Sequence, residues 1–529
     1  MKRFIEISML MICLSVPLSN AQQCVEKDTG LTYLRTNLGV LASDLFEGRE
    51  ISTRGESLAA MYIASELKKY GCKPFGDSGT YFENFKVFAT SIDSNSTVKI
   101  IDQEDKVRKL SLGKDFYLST RDIPSEKFSG IESSIVFAGY GITAKDYNYD
   151  DYKTLDINGK VVLLLSGSPA NDGKNIFSEE TSEKFSETSY KLINAMQHNA
   201  VGILILPDKR ISRYWRWLKA RSLSTSFELL KEPPTEKMKL ANAIPLIILS
   251  NQSAVKLLSG EKYSYDDLVA LDNSVEIPVG FELNKKVKMD YKINTGKRTA
   301  KNIIGLIEGN DENLKDQYVV ISAHYDHEGI RNGEVYNGAD DDGSGTVAIL
   351  EAARRISCLQ ENKRSVLVIF HTGEEKGLLG SEYLTTHAKF MKNIDADINL
   401  DMVGRGSVDT IYSIGSGKLS SELHDLVERV NSETVNLVFN YKFDAPNDPN
   451  KYYYRSDHYN YAKHSIPVVF FYDHMMEDYH KPSDDVEKIN FEKIEKISTL
   501  VTELAIRIAD KDHKLIIDKT DGKSGEEYK

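Results

Sequence analysis

Three consecutive aspartates, Asp340, Asp341 and Asp342, lie between a strand-like run and a Gly-Ser-Gly turn, and they constrain this chain more than any other feature. Adjacent carboxylates repel one another, so a fold that gathers them needs a counter-cation. The preceding run, Tyr318 to Ser322, is short and β-branched, the pattern of a strand buried on both faces. Such strands present functional groups at their C-terminal ends. His324 and Asp326 follow at once, and their alternation puts both side chains on one side of an extended segment. From there Asp326 can ligate a metal or orient the imidazole of His324. The turn after the aspartates opens a helix predicted over 346–356.

From Thr299 onward, strands and helices alternate. Predicted strands are 302–307, 318–322, 365–371, 397–401 and 466–472, with helices near 378–388, over 420–431 and over 491–509. This rhythm predicts an α/β fold with a mixed, mostly parallel sheet sandwiched by helices. In the last helix Ile494, Ile497, Leu500, Val501, Leu504 and Ile508 recur at helical spacing, a face that covers the sheet. Toward the N-terminus, a helix over 30–43 precedes a polar loop, Asp44 to Arg49. A second helix, 57–70, is introduced by Thr53 and Glu56 in capping-box spacing and closed by Gly71. Between about 95 and 285 the texture changes to short strands and turns without metal-binding residue types. The core strands there, 160–166, 201–206 and 244–249, predict a small inserted β-rich or α+β domain. The expected organisation is therefore a discontinuous catalytic domain, 22–95 and 285–515, interrupted by 96–284 and followed by a polar tail, 516–529.

At 529 residues the chain is long enough for two or three cores. Its net charge of -12 argues against nucleic-acid binding and against adhesion to an anionic membrane. Lys2 and Arg3, an apolar stretch and the small-residue end Ser19-Asn20-Ala21 predict a signal peptide cleaved after Ala21, hence a secreted or periplasmic protein. The apolar stretch is too short for stable membrane insertion, and no pattern for a lipid anchor precedes Cys24. Cleavage would leave Cys24, Cys72 and Cys358, so at most one bridge forms; Cys358 is expected as a buried helix residue.

The ends of the later strands also carry metal-binding types: His371-Thr-Gly-Glu374-Glu375, Asp401 and, in the loop after 466–472, His480. In open α/β sheets these ends face one crevice. Imidazole and carboxylate together favour zinc. A shared carboxylate lets two ions sit together and lower the pKa of a bridging water. Glu374 and Glu375 cannot both point the same way, so one can ligate while the other acts as general base. His327, His371, His458, His464 and His474 are read as mostly structural or surface residues, and Arg455 and Asp457 equally as an ion pair or a recognition element.

The segments AHYDHEG, YNGADDDGSG, HTGEEKGLLGS, INLDMVGR and SDHYNYAKHSIPVVFFYDH with YHKPSDD resemble, in order and spacing, the M28 family of co-catalytic zinc aminopeptidases. The segments VFAGYGI, INGKVVLLLSG and AVGILIL are similar to the protease-associated (PA) domain that many members carry as an insertion. The resemblance implies a zinc-dependent exopeptidase fold with two zinc ions. His324 and Asp401 would bind one and Glu375 and His480 the other, with Asp340 bridging. Glu374 would be the general base, Asp326 would hold His324, and Asp484 would hold His480. The peptide bond after the bridging aspartate is often cis in the family, which places it here at Asp340–Asp341. The implied reaction is removal of N-terminal residues from peptides. A related carboxypeptidase, a glutaminyl cyclase and a catalytically silent binding module stay open as alternatives.

Overall fold

Four parallel strands whose C-terminal ends lie level carry the chemistry-bearing residues. The computed structural model describes residues 27–520 except 94–95, 119–126, 172–173, 216–217, 220–223, 231–243, 271–278, 332 and 446–447. The signal-peptide segment and most of the tail lie outside these residues. By contacts the chain divides into two units, 1–85 with 299–529, and 86–298.

In the first unit the parallel strands run in spatial order Ser365–His371, Tyr318–His324, Ile394–Leu400 and Val468–Tyr472. His324 stands opposite His371, and Leu400 is level with Ala323 and Phe471. Register therefore brings Glu374, Asp326 and Asp401 to one edge. Every residue of these four strands is buried, which explains the mostly apolar sequence of three of them; in Ile394–Leu400 the buried Asp397 and Asn399 instead accept from Ser322 Oγ. Antiparallel neighbours flank them: residues 303–307 pair with 366–370 on one side, and Thr410–Ile414 pairs with 470–472 on the other. The sheet is thus mixed with a parallel centre.

One face of the sheet, with Val319, Ile321 and Val368, packs under helices Lys27–Leu41, Arg54–Lys69, Gly345–Leu359 and Phe491–Ala509. The other, with Val320, Leu367 and Phe470, meets helices Leu379–His387 and His458–Lys463. Complete burial of Ile494, Ile497, Leu500, Val501, Leu504 and Ile508 shows that the periodic face of the last helix is the one turned inward.

The second unit has its own sheet, in which 135–137, Val161–Leu165, Gly202–Leu206 and Leu246–Leu249 run parallel and Phe116–Leu118 closes one edge antiparallel. The division falls at 85/86 and 298/299, because residues 87–90 pair with 226–229 and residues 286–290 pair with 97–101 inside this unit. Cys358 departs from expectation. It is exposed at the end of its helix and disulfide-bonded, while Cys72 is a free, buried thiol.

Asp44 to Arg49 is not a surface loop. It forms a tight 3-10 turn that buries Phe46, Gly48 and Arg49. The Arg49 guanidinium donates to the carbonyls of Tyr325 (2.7 Å), Leu41 (2.9 Å), Asn337 (2.6 Å) and Gly338 (2.9 Å). One side chain thereby ties the segment after His324 to the one before Asp340. Replacing Arg49 by Met should strand these acceptors and cost about 3 kcal/mol or more. Chemical denaturation of the two proteins would measure it, and a loss below about 1 kcal/mol would show the clamp to be dispensable.

Candidate metal centre

The three aspartates take three different directions. Asp340 turns away from the crevice and accepts the Gly404 N–H at 2.8 Å. Asp342 accepts the N–H groups of Gly345 (2.9 Å) and Met402 (3.0 Å). Asp341 alone points inward: Oδ1 lies 3.4 Å from His324 Nε2, and Oδ2 lies 3.2 Å from His480 Nε2. Asp341, not the Asp340 expected as the bridge, is therefore the aspartate that faces both imidazoles, because Asp340 is already committed to the loop after Asp401. The cis peptide bond shifts with it, to Asp341–Asp342. Gly338 makes the approach possible. Its φ is +56°, and a Cβ there would come within 2.2 Å of the Asp341 carbonyl and 2.4 Å of the His327 ring.

Two ligand groups meet at Asp341. His324, Asp341 and Asp401 form one, with His324 Nε2 3.5 Å from Asp401 Oδ1. The other joins Asp341 to Glu375 and His327, and Glu375 also belongs to a third group with Glu328 and His480, where His480 Nε2 is 2.8 Å from Glu375 Oε2. The residues fit divalent ions on physical grounds. Buried His324 Nε2, Asp341 Oδ2, Glu375 Oε1 and His480 Nε2 have no hydrogen-bond partner among the described residues, a costly state unless something else satisfies them. Separations of 3.2–3.5 Å match the edge of a tetrahedron with metal bonds of about 2.0–2.1 Å. Mixed imidazole and carboxylate donors suit zinc.

Burial disfavours charge on Asp341 and Glu375, yet the facing imidazoles outweigh it and hold Asp341 down at about 2 and Glu375 well below the ordinary carboxylate range. Glu374 shifts the other way. Burial and the charges of Asp401 and Glu375 raise it well above that range, with its Oε2 3.9 Å from His324 Nε2. Adjacent glutamates are thus split, one fit to ligate and one to hold a proton.

The surrounding shell departs in part from expectation. His324 Nδ1 lies 3.1 Å from the Asp326 carbonyl and 3.6 Å from its carboxylate, which also accepts the Glu374 N–H at 3.2 Å. Asp484 does not hold His480; its carboxylate accepts the N–H groups of Asp340 and Asp341 at 3.0–3.1 Å. The neighbour of His480 Nδ1 is Glu328, at 3.3 Å, which in turn receives Lys376 at 2.8 Å. Tyr479 stacks on the His480 ring at 3.8 Å. His371 and His458 are buried away from the ligand groups, against Tyr461 and Phe470. Sequence reasoning placed His327 among the mostly structural or surface histidines and passed over Glu328; a second histidine three residues after His324 was a signal for the first, and nothing marked the second.

Glu56 is fully buried below this shell. Its N–H caps on Thr53, but its side chain turns inward, where Oε1 accepts from Thr372 Oγ1 (3.2 Å) and Tyr325 OH (3.2 Å). Burial pushes its carboxyl up to about 7, against the opposing pull of Lys301. A folded value above the ordinary one means that its stabilising contribution is whole at low pH and is lost as pH rises to about 7. Glu56→Gln should therefore melt no higher than the parent at pH 5 and higher than the parent at pH 8. Parallel melting curves at the two pH values would contradict this.

Residues 302–505 match the model of Peptidase family M28. Leucine aminopeptidase 1 of Uncinocarpus reesii is 30% identical over 204 residues, 36% of this chain and 51% of that protein. Aminopeptidase YwaD of Bacillus subtilis is 28% identical over 259 residues, 46% of this chain and 54% of that one. The chain spans about half the length of the curated relatives it matches. Among solved structures, an aminopeptidase from Aneurinibacillus sp. strain AM-1 superposes with a TM-score of 0.58 at 18% identity, covering 95% of this chain and 98% of that one. BSAP, a zinc aminopeptidase from Bacillus subtilis, gives 0.53 at 19%, covering 92% and 98%. These two share the fold.

Proposed function

We propose that this chain, whose residues 302–505 are a Peptidase family M28 domain, is a zinc aminopeptidase that removes N-terminal residues from peptides. The observation that carries the reading is the Asp341 carboxylate, whose two oxygens face two separate imidazoles, His324 and His480. On this reading His324, Asp341 and Asp401 hold one zinc ion, and Asp341, Glu375 and His480 a second. Zinc bound there supplies a Lewis acid for the substrate carbonyl and a lowered pKa for water.

The chain's own residues do the rest. Glu374, beside the first ligand group and raised in proton affinity by burial and neighbouring carboxylates, takes the proton of the attacking water and returns it to the departing amine. Asp326 places it, since the same carboxylate that lies near His324 Nδ1 accepts the Glu374 N–H. Among the described residues no helix is long and apolar enough to cross a membrane. We read the N-terminal segment as an export signal that releases the protein outside the cytoplasm, and the 86–298 unit as a protease-associated domain.

Aminoacyl 4-nitroanilides, free and N-acetylated, beginning with leucine because several relatives are named for it, test the assignment. Hydrolysis of the free substrate only, abolished by chelation and restored by zinc, is expected. Glu374→Gln should keep its zinc and lose about 10²–10⁴-fold in kcat. Cleavage of the blocked substrate, cyclisation of an N-terminal glutamine, or full activity in the Gln variant would each replace this reading.

A further inference from the structure

Within this site one buried imidazole is unaccounted for. His327 is 0% exposed, and neither ring nitrogen has a hydrogen-bond partner among the described residues. Its Nδ1 approaches Glu375 Oε1 at 2.7 Å without the alignment of a hydrogen bond, and it lies 3.9 Å from Asp341 Oδ2. The ring meets that of His480 edge to face at 5.7 Å, so both imidazoles look onto the same two carboxylates. A fully buried imidazole in this state needs a partner.

We propose that His327 is a ligand of the second ion, through Nδ1, so that this position is closed by four side chains: Asp341, Glu375, His480 and His327. The inference rests on the two-zinc reading above and deepens it. His480 Nε2 and His327 Nδ1 lie 3.2 and 3.9 Å from the same oxygen, Asp341 Oδ2, and 2.8 and 2.7 Å from Oε2 and Oε1 of Glu375 respectively. Glu375 thus offers one oxygen to each ring, at separations around the roughly 3.3 Å expected between donors on one zinc with bonds of about 2.0–2.1 Å. Sites closed by four protein ligands hold zinc structurally, whereas a site with three keeps a vertex for water and substrate. The first position, His324, Asp341 and Asp401, is the open one, and it is the one beside Glu374. The two ions thus divide the work: a tightly held second ion fixes Asp341 and Glu375, and the chemistry belongs to the first.

Zinc K-edge absorption fine structure of the full chain, loaded with one and then two equivalents, counts the imidazoles directly. Two imidazoles on the first zinc bound are expected, and three shared between two zinc ions at full loading. His327→Asn retains a hydrogen-bonding group near the Nδ1 position but is a poor zinc ligand, and it should weaken the tighter zinc by more than about 100-fold, beyond the loss typical of a partner outside the coordination sphere. Two bound zinc ions with one imidazole each, or a His327→Asn protein that binds zinc as tightly as its parent, would overturn the inference and leave the two-zinc reading standing. Failure of the parent to bind zinc at all would overturn both.

Discussion

Mutual repulsion among carboxylates at the ends of parallel strands is the condition to which the rest of the first unit answers. Two unit charges 4 Å apart interact by about 4 kcal/mol at an effective dielectric of 20, and the acids here are buried. The molecule disposes of them in two ways. Asp340, Asp342 and Asp484 accept backbone N–H groups, while burial and neighbouring charges raise their carboxyls above the ordinary range and so favour the neutral form. Asp341, Asp401 and Glu375 instead gather around imidazoles, with Asp341 Oδ2 and Glu375 Oε1 left without a hydrogen bond among the described residues. A cation is what that second group lacks.

Much of the scaffold exists to keep those two groups distinct. Asp342 and Asp340 accept N–H groups from the loop just past Asp401, so one pair of side chains fixes the distance between two ligand-bearing loops. Arg49 does the same from the opposite side, and Glu56 joins the first turn of a helix to the residues flanking both His324 and Glu374. The N-terminal helices therefore do more than cover the sheet. They supply the two buried polar groups that hold the loops beyond the strands in register.

How far this could be read from the chain depended on the kind of signal. Mostly apolar strands and the periodic last helix announced themselves; His324 ends one strand, Asp401 directly follows another, and Glu375 and His480 lie in the loops beyond the other two. The aspartate triplet was readable as a site but not in register. Three identical residues differ only in direction, and direction was set by Gly404, Met402 and Gly345, which are distant or mute in sequence. The resemblance implied Asp484 beside His480; the chain instead turns it toward the Asp340 and Asp341 N–H groups. The Thr410–Ile414 strand escaped notice because it is short, with an exposed first residue. Arg49 looked like a loop cation, and only its buried position shows otherwise.

Everything said of the chemistry depends on two cations sharing Asp341. Anomalous diffraction at the zinc edge, from crystals of the zinc-loaded protein, addresses that claim most directly. Two peaks are expected, one on each side of the Asp341 carboxylate, with His324 at one and His480 at the other. A single peak away from Asp341, or none in protein shown to be folded, would contradict the account.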